Sequence, residues 1–106
     1  MAVYVDDAEI KYGRMIMSHM LADTPGELHS MADEIGIQRK WYQGPDKAST
    51  PHYDISLSKR ALAIKAGAVF LQGRHEIWPH LKRIKEDFRN NPERWKYADW
   101  TTLHNQ

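Results

Sequence analysis

Cysteine is absent from the chain, which excludes disulfide frameworks, thiolate nucleophiles and thiolate zinc sites. A reducing compartment suits such a chain, and the cytoplasm is the expected location. Long hydrophobic runs are missing too: no stretch approaches the roughly 18 apolar residues of a membrane span. The opening residues, Met1 to Asp7, lack a basic region and reach two acids at once, so no signal peptide is expected there. No charge sign dominates, because 15 Lys and Arg stand against 14 Asp and Glu, for a net charge of +1. A phosphate-coating surface is therefore not expected, and nucleic acid could be met only through a local patch. Also lacking are a Gly-rich phosphate loop, a nucleophile elbow, a His-Glu-x-x-His pair, an EF-hand loop and internal repeats.

What is present is ordinary globular composition, 42% hydrophobic and 27% charged over 106 residues, enough for one modest core. Val3-Tyr4-Val5 is a short β-prone run closed by Asp6-Asp7. Tyr12-Gly13 punctuates the chain. Arg14 to Leu21 reads as a second strand, with Met15, Met17, His19 and Leu21 on one face; its Met and Leu content leaves a helix as the alternative.

Thr24-Pro25-Gly26-Glu27 has the form of a capping box, with Thr24 as N-cap and Pro25 at the first helical position. Leu28, Met31, Ala32 and Ile35 follow at helical spacing, and Gly36 supplies the stop, so a helix is predicted from about Pro25 to Ile35. Arg39 to Gln43 reads as a third strand, and residues 44–51 as a polar loop. Ser56 is the expected cap of a second helix that stops at Gly67, and Ala68 to Leu71 forms a fourth strand. Ile77, Leu81, Ile84 and Phe88 mark a third amphipathic helix, with Pro79 tolerable only near its start. Strands alternating with helices predict one α/β domain over residues 1–90, with a mostly parallel four-stranded sheet, covering helices and a C-terminal helix. Residues 91–106, with Trp95, Tyr97 and Trp100, are read as an aromatic tail.

Ionisable residues gather near strand ends. Asp6 and Asp7 follow the first strand, where an acid can hold a metal or accept a proton, although Asp also favours turns. His19 lies in an apolar run, which equally suits a core histidine with satisfied nitrogens. His29 borders the buried face of the first helix near its positive end, which disfavours its charged form. His52-Tyr53-Asp54, if extended, points His52 and Asp54 to one side, where imidazole and carboxylate can share a proton or cation; Asp54 as a helix cap is the simpler alternative. Lys59 and Arg60 open the second helix against the dipole preference, which fits an anion nearby or merely a solvated face.

Val3-Tyr4-Val5-Asp6, Ser18-His19, Asp23, Glu27-Leu28-His29, Gly36, His52-Tyr53-Asp54 and Gly67-Ala68 together resemble the small bacterial and phage family catalogued as domain of unknown function 4031. The match runs over roughly residues 2–72 in order and register, with the loop at 44–51 and the tail as departures. The resemblance implies an α/β fold. A family pattern of His, Asp, Ser and Gly further implies a shared polar site of Asp6, His19, Asp23, His29, His52 and Asp54.

The first functional expectation is a metal-dependent hydrolase acting on a phosphoester of a nucleotide or nucleic acid. Asp6, His52 and Asp54 would hold Mg, Mn or Zn. His19, His29 and Asp23 would be the catalytic groups, and Ser18, Thr24, Lys59 and Arg60 would receive the anion. The alternative is a non-catalytic nucleotide- or anion-binding or protein-interaction module, such as a phage-encoded accessory protein, with a homodimer through the aromatic tail as a further expectation.

Overall fold

The computed structural model describes residues 2–96. Strand β1 spans Val3–Asp6, β2 Ile10–Tyr12 and β3 Met15–Ala22; helix α1 spans Pro25–Ile35; β4 spans Tyr53–Ser56, α2 Leu57–Lys65, β5 Val69–Leu71, α3 Arg74–Asn90 and α4 Pro92–Trp95.

β3 organises the sheet. Along one edge it pairs antiparallel with β1, Val5 opposite Met20, and then with β2, Ile10 opposite Met17. Its Met17 and Met20 also face Ser56 and Tyr53 of β4, so β4 must lie on the other edge. β5 joins β1 in parallel, Val5 opposite Phe70. The sheet is thus mixed and five-stranded, which corrects the mostly parallel four-stranded expectation. The physical reason is the turn at Gly13-Arg14. Gly13 takes φ 61, the positive φ that a two-residue hairpin needs at its first central position, and the chain returns antiparallel instead of crossing over through a helix. Arg39–Trp41 is a 3-10 turn and no strand; only Gln43 makes a β-bridge, to His52.

The two sheet faces are separated by strand parity. Val5, Met20, Tyr53 and Ile55 share the face that α1 covers through Leu28, Met31, Ala32 and Ile35. α2 packs on this same face, where Arg60 lies over the Phe70 ring and reaches Ser18. Tyr4, Asp6, His19, Leu21 and Asp54 share the opposite face, and α3 covers its Tyr4 end by stacking His80 on that ring at 4.3 Å. Met20, Leu21 and Ala22 are all buried because both faces are covered there, whereas β2 and the start of β3 extend beyond the helices and are exposed.

Local signals set the helix ends. The Thr24 hydroxyl caps α1 by accepting from the Glu27 N–H at 3.3 Å and donates to Glu27 Oε1 at 2.7 Å. Gly36 ends α1 at φ 83, with Ile37 N–H returning to the Ala32 carbonyl. Ser56 caps α2 through the Lys59 N–H. Pro79 lies in the second turn of α3, where the one ladder bond it cannot make would go to His75. α4 folds back so that Trp95 is fully buried, its Nε1 donating to Asp87 Oδ2 at 2.7 Å and its ring meeting Phe88. Tyr97 and Trp100, which the tail expectation also invoked, lie outside the described residues.

Candidate functional site

Register brings the site together. His19 pairs directly with Asp54 across β3 and β4. Asp6, one residue beyond the Val5–Met20 pair, falls opposite His19 on the other edge of β3. His52 leads into β4 two residues before Asp54, on the same side. Asp6, His19, His52 and Asp54 therefore form one row across three strands.

The hydrogen bonds fix which ring nitrogens carry protons. Asp6 Oδ2 lies 2.7 Å from His19 Nδ1, while its Oδ1 accepts the backbone N–H groups of His19 at 2.9 Å and Ala8 at 3.3 Å. Burial raises the Asp6 carboxyl, but these donors, led by the His19 ring, outweigh burial and leave it below its ordinary value. An ionised carboxylate only accepts, so His19 carries its proton on Nδ1. The Asp6 bond in turn lifts His19 above its usual value against the opposing effect of burial, with the Asp54 charge adding to the rise. His52 Nδ1 lies 2.8 Å from the Thr50 carbonyl, another pure acceptor, so it too donates from Nδ1. In their neutral forms both histidines then present a bare Nε2.

Both bare nitrogens face one carboxylate oxygen. Asp54 Oδ1 is 3.8 Å from His19 Nε2 and 3.3 Å from His52 Nε2, while the Gln43 amide holds Asp54 Oδ2 at 2.7 Å. The donor atoms of His19, His52 and Asp54 all lie within 4.8 Å of one another. Ligands about 2.0–2.2 Å from a tetrahedral cation sit roughly 3.3–3.6 Å apart, so a small contraction would close the set around an ion. His19 and Asp54 keep 34% and 41% of their side-chain surface exposed, so the cluster is open to solvent on that side. In metal centres the ligating histidine commonly donates its other ring nitrogen to a carboxylate or carbonyl; His19 and His52 make the same kind of bond, to Asp6 and to the Thr50 carbonyl.

The remaining expected site residues lie elsewhere. Asp23 is four residues along from His19, about 13 Å at strand rise. There it accepts from Tyr4 Oη at 2.9 Å, from Ala2 N at 2.9 Å and from Arg83. Burial raises its carboxyl, and those three donors bring it below the ordinary range. Thr24 is at that same distant end, capping α1. His29 is fully buried on the opposite sheet face, with Nδ1 2.8 Å from Tyr53 Oη and the Tyr42 ring edge-on at 4.6 Å. Lys59 Nζ donates to the Ile35 carbonyl at 2.7 Å, a cation placed at the negative end of α1.

Ser18 and Arg60 lie behind the site. Arg60 Nη1 donates to the Asp6 carbonyl at 3.2 Å and to Ser18 Oγ at 3.0 Å, and Ser18 donates to the Ala8 carbonyl at 2.6 Å. Together they clamp the segment that carries Asp6 onto β3. Sequence reasoning missed Gln43 and the Thr50 carbonyl. The signal for Gln43 was weak, since an amide in a loop has no preferred chemistry until its bridge to His52 is known.

The family model described as "Protein of unknown function (DUF4031)" matches residues 3–83, most of the 106-residue chain. The chain belongs to this family. The DUF4031 match contains all four residues of the row as well as Ser18, Gln43, Thr50 and Arg60, and it ends before the last turns of α3. Comparison with curated proteins and with solved structures returns no match.

Proposed function

We propose that His19, His52 and Asp54 hold a divalent cation and that this DUF4031 chain is a metal-dependent hydrolase. The observation that supports it is the convergence of two imidazole Nε2 atoms, each with its Nδ1 proton already engaged, on one carboxylate oxygen. Three protein ligands leave coordination positions open, as catalytic sites do and closed structural sites do not. A nitrogen-rich set with one carboxylate suits Zn or Mn better than Mg, which prefers oxygen. Charge balance also favours it, because two carboxylates and two neutral imidazoles match one divalent ion.

The chemistry a cation supplies at such a site is Lewis acidity and water activated near neutral pH. The chain's own part is orientation. Asp6 holds the His19 ring, Gln43 holds Asp54, and Arg60 with Ser18 fixes the Asp6 segment. The substrate class that suits the site is a phosphoester of a nucleotide or nucleic acid, whose anionic oxygens a cation meets directly. Within this reading Asp6 is a positioning residue behind His19, and His19 is a ligand. A chain without cysteine acting on such a substrate belongs in the cytoplasm; among the described residues no helix is long and apolar enough to cross a membrane.

The test is equilibrium dialysis of the folded protein with Zn and Mn, followed by phosphodiester and nucleotide hydrolysis with each metal and with chelator. One ion per chain and metal-dependent turnover are expected in the wild type, with both lost in His52→Ala and Asp54→Ala. Turnover that survives Asp54→Ala or the chelator would overturn the proposal, as would failure to retain any ion.

A further inference from the structure

A second feature lies around the loop that leads from the 3-10 turn to β4. Two concavities meet at Pro45. One, of about 210 Å³, is bordered by Arg39, Lys40, Lys47 and Lys96; the other, of about 410 Å³, has Lys85 and Arg89 on its α3 wall. Six cations thus line adjoining hollows in which, among the described residues, Asp46 is the one acid, in a chain of net charge +1. Arg39 is engaged by Asp33, with Nε at 3.1 Å and Nη2 at 2.6 Å. Among the described residues, Lys40, Lys47, Lys85 and Arg89 form no ion pair. Like charges gathered around a concave surface repel one another and focus a positive field into it, and an anion relieves that repulsion.

Tyr42 packs closely beneath the loop, and an exposed tryptophan stands next to Lys40. A Cβ on Gly44 would come within 2.7 Å of the Tyr42 ring, so the loop sits close against that ring. The Tyr42 hydroxyl donates to the Trp95 carbonyl, which ties that ring to α4. Next to the lining residue Lys40, Trp41 leaves 62% of its surface exposed, with the Lys40 Nζ 5.2 Å from its ring. An exposed indole beside a cation of the hollow offers a face for stacking a planar ring.

We propose that this groove binds single-stranded nucleic acid, its phosphates along Lys40, Lys47, Lys85 and Arg89 and a base stacked on Trp41. A basic groove with an adjacent aromatic platform is the arrangement that tracks a single strand. A duplex is instead read by an element that projects into its groove, and a concavity does not project. The groove is separate from the cation site: Gln43 turns to Asp54, while its neighbours Tyr42 and Gly44 face the groove.

The test is fluorescence anisotropy of a labelled oligothymidine about 12 nucleotides long, in chelator so that the cation site plays no part. Saturable binding at low salt is expected. A Lys40→Glu/Lys47→Glu variant should bind on the order of 10-fold or more weakly, with a salt slope shallower by roughly 1.4. Trp41→Ala should weaken binding about 5-fold or more and leave the slope unchanged. Melting curves of both variants establish that they are folded. No saturable binding by the wild type would overturn the proposal. So would equal affinity in the charge variant, or competition by polyglutamate as effective as by unlabelled oligonucleotide, which would mark the groove as a site for acidic protein segments.

Discussion

Replacing Asp6 with Asn tests the site's logic through one proton. Asp6 Oδ1 accepts two backbone N–H groups, from His19 and Ala8, and Oδ2 faces His19 Nδ1. An Asn has one acceptor and one donor end. Turning its NH₂ towards two N–H groups would set donor against donor, so its carbonyl must take that side and its NH₂ must face the ring. Nδ1 then has to accept, and the His19 proton moves to Nε2, the atom that faces Asp54. The change exchanges a charge-assisted hydrogen bond for a neutral one, at a stability cost of about 1 kcal/mol. Its effect on cation binding is larger, on the order of 10- to 100-fold, because the ligand nitrogen is no longer bare. Competition with a colorimetric chelator measures the affinity, and nitrogen chemical shifts of the ring report the tautomer. Wild-type cation affinity in an Asp6→Asn protein whose His19 has changed tautomer would refute the assignment of His19 Nε2 as a ligand.

Trp95→Ala is expected to cost about 3–5 kcal/mol, since the ring is fully buried and its N–H engages Asp87; a melting temperature lower by roughly 15 °C or more checks it, and a loss under about 1 kcal/mol would detach α4 from the core. The stability that the Asp6–His19 pair contributes should depend on pH at both ends. Asp6 titrates below 3.8 when folded, so its share is complete above that unfolded value and fades as pH falls through the folded one; His19 titrates above 6.5, so its share is complete below 6.5 and fades as pH rises through the folded value. Urea midpoints of the cation-free wild type should therefore exceed those of Asp6→Asn most across roughly pH 4–6.5, and a difference flat from acid to alkali would contradict the pairing. Thr24→Ala should lower stability by about 1 kcal/mol and speed amide exchange at Glu27, yet leave cation affinity unchanged because Thr24 lies at the far end of β3.

The parts legible in the sequence were those written in short-range chemistry. The Thr24 cap, the Gly36 stop, the Ser56 cap and the apolar stripe of α3 each depend on residues within four positions, and all are in the structure. Arg39 to Gln43 misled because Trp and Tyr favour strands, while a 3-10 turn that sends Tyr42 against His29 and Tyr53 depends on partners far along the chain. Strand direction was missed for a different reason. The two-residue spacing at Gly13-Arg14 was a hairpin signal, but β2 is three residues long and fully exposed, with little hydrophobic pattern to mark it. At the site, parity placed His52 and Asp54 on one side; that His19, and not Asp6, faces Asp54 follows from the β3–β4 register, which joins segments 35 residues apart. The family pattern implies His29 as a site residue, whereas its place in α1 beside Leu28 and Ala32 sends it into the core.

The row of Asp6, His19, His52 and Asp54 also bears on how the chain reaches its folded state. β3 and β4 are separated in sequence by α1 and a long loop, and such distant pairings are slow to form and open to mistakes. If β4 arrived one residue out of step, Asp54 would meet Met20 in place of His19 and turn into the apolar face under α1, while Tyr53 would leave that face for the other, beside Leu21. The wrong alignment would thus put a carboxylate among apolar side chains on one face and break the His19–Asp54 pairing on the other. Each face of the sheet thus penalises the slip that the other also rejects, and the polar row specifies the register alongside the apolar one.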